Sequence, residues 1–71
     1  MDHLYFNTYN DVLERTINAA SLEEYTYFKM QLIKMVSFCN YMADVNKWAK
    51  RVTDDYKIWA MEVERRKMSL A

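Results

Sequence analysis

Neither glycine nor proline occurs anywhere in this chain, and that double absence limits the fold more than any motif does. Glycine supplies the left-handed backbone of many tight turns, and proline stops helices. A chain without either reads as helix nearly throughout, with few and short connections. An apolar share of 52% beside 28% charged residues argues against disorder.

Seventy-one residues stand near the size at which one core only just suffices, and such chains rely on disulfides, a metal or self-association. Cys39 is the sole cysteine and His3 the sole histidine. An internal disulfide is therefore impossible, and a zinc site of Cys and His ligands within one chain is ruled out. Self-association is what remains. Ten acidic and ten basic side chains cancel, which points neither to a polyanion partner nor to an acidic mimic of one. The opening MDHLYFNTYND lacks the basic-then-apolar plan of a signal peptide. The most apolar window, 22–45, holds Lys29, Gln31, Lys34 and Asn40, too polar for a membrane span. A single reduced thiol suits the cytoplasm.

Along the chain, residues 1–7 read as an irregular arm anchored by Leu4, Tyr5 and Phe6. Thr8, with Asp11 three residues on, reads as the N-cap of a first helix over 8–20. Its apolar stripe is Tyr9, Leu13, Ile17 and Ala20, widened by Val12. Ser21 and Glu24 form a Ser-x-x-Glu capping box, the clearest boundary in the chain.

From Phe28, positions spaced alternately three and four apart run Gln31, Met35, Phe38, Met42, Val45, Ala49, Val52, Tyr56, Trp59, Val63, Arg66, Leu70. Nearly all are apolar and the register never slips, which is the pattern of a helix whose seam packs on another helix. Lys50 with Asp54, Arg51 with Asp55 and Glu62 with Arg66 are i,i+4 pairs that require helix across Thr53-Asp54-Asp55. Glu23 and Glu24 at one end and Arg65, Arg66 and Lys67 at the other complement a single helix dipole. The expectation is one long helix over 22–70, about 73 Å if straight. Such a rod needs a second chain along the seam formed by Met35, Phe38, Met42, Val45, Val52, Tyr56, Trp59 and Val63. The architecture expected is therefore all-α: a short N-terminal helix folded back on a long one in a coiled-coil or bundle oligomer, a dimer first. The alternative is a monomeric three-helix bundle, broken near 44–47 or 53–55 and capped by Asp44 or Thr53.

Nothing reads as catalytic machinery. His3 lies in the arm without a fixed partner, and Cys39 sits among Leu32, Val36 and Met42 as a small buried apolar residue. Asp54 and Asp55 are adjacent, hence about 100° apart on a helix, with no third ligand at the right spacing. Without glycine there is no phosphate-cradling loop, and no loop is long enough to carry an active site. No enzyme activity, metal or cofactor is expected.

Three binding surfaces compete instead: a protein-partner face first, a nucleic-acid patch as the alternative and an anionic-ligand site third. Ile58, Met61, Arg65 and Met68 fall on a face distinct from the Tyr56–Trp59–Val63 side, suited to a protein partner. Lys47, Lys50 and Arg51 beside Trp48, together with Arg65, Arg66 and Lys67, form two basic clusters suited to nucleic acid. Tyr25, Tyr27, Tyr41 and Trp48, near Lys29, Lys34 and Lys47, are the residues for an anionic ring-bearing ligand between protomers.

No family motif is present. Six tyrosines, six lysines and five asparagines without glycine or proline resemble the usage of short products of AT-rich mobile genomes, phages included. That resemblance implies an inhibitor or regulator that binds a larger protein.

Overall fold

The computed structural model describes residues 2–71, with side chains from Leu4 onward. The chain forms three α-helices, α1 (Asp2–Ile17), α2 (Leu22–Met42) and α3 (Lys47–Leu70), each packed on the other two. The particle measures 38 × 19 × 15 Å, about half the length of the straight rod expected over 22–70. The continuous helix is thus corrected to two helices with a corner at 43–46, the first of the two breaks that the three-helix alternative named.

That corner shows why glycine and proline were not needed. Ala43 keeps right-handed helical torsions, and the Met42 carbonyl accepts from the N–H groups of Val45 and Asn46 at 3.1 and 3.0 Å. Asn46 then leaves the helix with an extended backbone, φ −126° and ψ 120°, and its carbonyl accepts from Lys50 to start α3. The N-cap is thus Asn46, not Asp44 or Thr53. No described residue has positive φ. Both corners are built from conformations open to every L-residue, so the composition could not forbid them.

The Thr53-Asp54-Asp55 stretch is helical throughout. Thr53 Oγ1 donates back to the Lys50 carbonyl at 2.8 Å, and Lys50 Nζ meets Asp54 Oδ2 at 2.9 Å. The other two expected pairs do not form. Asp55 is taken by Tyr9, Arg51 lies over the Phe6 ring at 4.3 Å, and Glu62 pairs with Arg65 while Arg66 turns inward.

Helix α1 begins at Asp2, which corrects the arm over 1–7. Thr8 is not its cap: its hydroxyl donates to the Leu4 carbonyl at 2.9 Å, a bond made inside a helix. Tyr5, Phe6, Tyr9, Val12, Leu13 and Thr16 recur at helical spacing and pack toward the core, so the helix gains burial by extending to them. The side chain of His3 lies outside the described residues. At α2 the capping box is present: Glu24 N–H donates to Ser21 Oγ at 3.1 Å, and Ala20 N–H donates to Glu24 Oε2 at 3.3 Å.

The core is Tyr9, Leu13, Ala19, Tyr25, Leu32, Cys39, Ala49, Val52 and Val63. Its polar atoms are paired, and among the described residues no buried side-chain nitrogen or oxygen lacks a partner. Tyr25 Oη donates to the Val63 carbonyl at 3.0 Å, while Lys29 Nζ bridges Tyr25 Oη and Glu64. Burial pulls the Lys29 pKa down, but its bonds to Glu64 and Tyr25 outweigh that and leave it raised. Glu64 is correspondingly lowered by the Lys29 hydrogen bond. Arg66 donates from Nε and Nη2 to the Ala19 carbonyl at 2.8 and 2.6 Å, closing the corner between α1 and α2 from the far end of α3. Among the described residues no helix is long and apolar enough to cross a membrane.

Candidate interaction surfaces

The stripe expected to join two chains is divided between the interior and the surface. Val52 and Val63 are fully buried in this chain's own core. Met35, Met42 and Tyr56 pack against that core and are partly covered. Phe38, Trp59 and Val45 are exposed. The reason is the corner at 43–46: a three-four repeat says which side of a helix is covered but not whose helix covers it. Here α1 and α3 cover much of what a second chain was expected to cover on α2.

Around Tyr5 the edge of the core becomes aromatic. Its ring lies 4.9 Å from Trp48 and 6.1 Å from Phe38, centroid to centroid, and its hydroxyl donates to the Met35 carbonyl at 3.4 Å. Burial, followed by hydrogen bonding to the Cys39 thiol, raises its pKa to about 12. Burial also raises the Cys39 thiol, with the Tyr5 hydroxyl pulling the other way. That is the signature of an inert interior cysteine rather than a nucleophile. Among the described residues no three His, Cys, Asp or Glu side chains come together where they could hold a metal.

The basic residues expected to contact nucleic acid are dispersed and partly engaged. Lys50 is held by Asp54, Arg65 by Glu62, and Arg66 by the Ala19 carbonyl. Lys47 and Arg51 remain together with Phe6 and Trp48 around a recess of about 190 Å³. Lys67 stands apart in the last turn of α3. The residues expected around an anionic ring do not converge: Tyr25 is buried and bonded to Val63, Lys29 is bound to Glu64, and Trp48 packs on Tyr5.

The stripe expected to take a protein partner has a different setting. Ile58, Met61 and Met68 are 72%, 67% and 77% exposed, with Arg65 among them. At 100° per residue they lie on the side of α3 opposite Val52 and Val63, beyond the reach of α1 or α2. Met61 and Met68 edge a shallow depression of about 470 Å³ that also touches Ala60, Glu64 and Arg65. Neighbouring helices therefore leave this stripe uncovered.

A second outward stripe includes Tyr27 and Tyr41, expected from the sequence only as walls of a ligand site, and adds Met30. Tyr27, Met30 and Tyr41 on α2 are each more than half exposed. The signal was present, since 27, 30, 34 and 41 share one face of a helix. It was masked because α2 carries apolar residues on every side, so periodicity alone does not separate its outward face.

Comparison with known proteins returned no match: no family model, no curated protein and no solved structure is similar to this chain.

Proposed function

We propose that this chain is a non-enzymatic helical interaction module that pairs with a second copy of itself and docks on a different protein, which it inhibits or regulates. The observation that carries this reading is the pair of outward stripes, Tyr27–Met30–Tyr41 on α2 and Ile58–Met61–Met68 on α3. Large apolar side chains left in water along one helix face mark contact surfaces, and methionine adapts to irregular partners. Single exposed apolar residues would need no explanation; two aligned sets do. The usage of tyrosine, lysine and asparagine, like that of short phage products, fits an inhibitor of a larger protein. The buried free thiol suits a reducing compartment such as the cytoplasm.

The test is affinity capture with the intact chain, followed by calorimetry of the purified pair. Tyr41→Asp and Met61→Asp keep the helices, and one of them abolishes the captured complex. If neither variant changes binding, the stripes are not the contact surfaces.

A second reading is favoured by one feature. Lys47 and Arg51 beside Phe6 and Trp48 combine cations with aromatic faces, as single-stranded nucleic acid requires. In that case binding falls steeply with added salt and is lost in Lys47→Glu with Arg51→Glu.

A further inference from the structure

The outward stripe of α3 has a symmetry that neither exposure nor hydropathy alone reveals. Reading Asp54, Ile58, Met61, Arg65, the spacings are four, three and four, with an acid first, two apolar residues in the middle and a base last. Turned end for end, the pattern keeps its spacing and exchanges its charges. Its midpoint falls between Trp59 and Ala60, within about one residue of the middle of α3 (Lys47–Leu70).

We propose that this stripe is where two copies of the chain meet, α3 against α3, antiparallel about a two-fold axis near Trp59 and Ala60. The proposal rests on the interaction-module reading and assigns one of its two stripes. Such an axis sets Ile58 against Met61 of the second copy, twice. It sets Asp54 against Arg65 of the second copy, also twice. Because the midpoint of the pattern nearly coincides with that of the helix, the two α3 helices overlap along almost their whole length, roughly 33 Å. An off-centre pattern would leave the ends unmatched. A parallel pair would set Asp54 against Asp54 and Arg65 against Arg65.

The flanks fit the same arrangement. Lys57 and Glu64 lie on one edge of the stripe, and a two-fold axis keeps residues of one edge together. Lys57 of the second copy therefore passes over the depression edged by Met61 and Met68 and adds a second cation to Glu64, which Lys29 of its own chain already holds. In the single chain Asp54 is bonded to Lys50, and Arg65 to Glu62, through pairs that are half or more exposed on most sides. Exposed pairs of this kind hold little free energy, so they exchange partners readily. One helix face against its twin falls at the small end of specific interfaces, in the class of weak and transient pairs. The α2 stripe then remains for the different protein.

Sedimentation equilibrium of the intact chain across a concentration series tests the pairing. The wild type shifts from 8.6 kDa toward twice that mass. Met61→Asp stays monomeric with an unchanged helical circular dichroism spectrum. Asp54→Arg and Arg65→Asp each oppose like charges and weaken the dimer on the order of tenfold, while the double variant carrying both restores it. A wild type that remains monomeric into the hundreds of micromolar overturns the proposal. So does a dimer indifferent to Met61→Asp, or one that the double variant fails to restore. None of those outcomes touches capture through Tyr41, so docking on a different protein stands or falls separately from the pairing.

Discussion

The Tyr9 hydroxyl donates to Asp55 Oδ2 at 2.6 Å, tying the first helix to the middle of the last across 46 positions of sequence. The Tyr9 ring is fully buried while Asp55 is only partly so, and this asymmetry gives the pair unequal roles. Tyr9→Phe removes a donor from a carboxylate that water still reaches, and costs about 1 kcal/mol. Asp55→Ala strands a buried hydroxyl and costs more, about 1–3 kcal/mol. Urea denaturation of the two variants decides the order.

Alkaline stability follows from the tyrosines. Burial, then hydrogen bonding to Cys39, raises Tyr5 from 10.0 to about 12. Burial, then the bond to Asp55, raises Tyr9 as well. A phenol that holds its proton more tightly in the folded chain adds stability that is complete below pH 10. That stability is lost as the pH climbs toward the folded value. The expected outcome, followed by thermal circular dichroism, is a melting temperature that holds from neutral pH to about pH 9. There the buried Cys39 thiol begins to contribute, and the fall becomes steep beyond about pH 10.

Arg66 closes the first corner by donating twice to the Ala19 carbonyl. Arg66→Ala leaves that carbonyl, in a fully buried residue, without its charged donor and costs about 1.5–3 kcal/mol. For a domain of this size each kcal/mol lowers the melting temperature by roughly 4–8 °C. Arg66→Lys recovers only part of the loss, because an ammonium lacks the planar two-pronged geometry.

The two helix starts respond differently to substitution. Ser21 accepts from Glu24 N–H, and Ser21→Ala costs about 1 kcal/mol. Asn46 makes no side-chain cap bond, and the first turn of α3 carries no acid. Asn46→Asp places an anion at the positive end of the helix, beside Lys47, Lys50 and Arg51. It stabilises the chain by about 0.3–1 kcal/mol, less at high salt. Thermal melts at two ionic strengths check both.

Val52 and Trp59 lie seven apart in one register, yet they respond differently to the same charge. Val52 is fully buried and Trp59 is not. Val52→Asp puts an unpaired carboxylate into the core and unfolds the chain, whereas Trp59→Asp leaves it helical. Circular dichroism of the two variants separates them.

These contrasts show what the sequence could and could not convey. Helix throughout, the Ser21–Glu24 box, the Lys50–Asp54 pair and the outward side of Ile58, Met61 and Met68 all follow from spacing within one helix. Spacing is local, so it was legible. The corner at 43–46 was legible only as one of two alternative breaks, 44–47 or 53–55, because it turns on the backbone torsion of Asn46, which no residue type there demands. The Tyr9–Asp55 and Arg66–Ala19 bonds were hidden for a related reason. They join side chains to groups tens of residues away, and Arg51, Asp55 and Arg66 each had a nearer partner at helical spacing.

The bond from Arg66 to Ala19 has one more effect, on the order of assembly. A chain emerging from its N-terminus can wind α1 and α2 early, but the carbonyl at their junction waits through 47 further residues for its donor. The capping box can hold the first bend locally, while its tie to the last helix is among the last bonds to form.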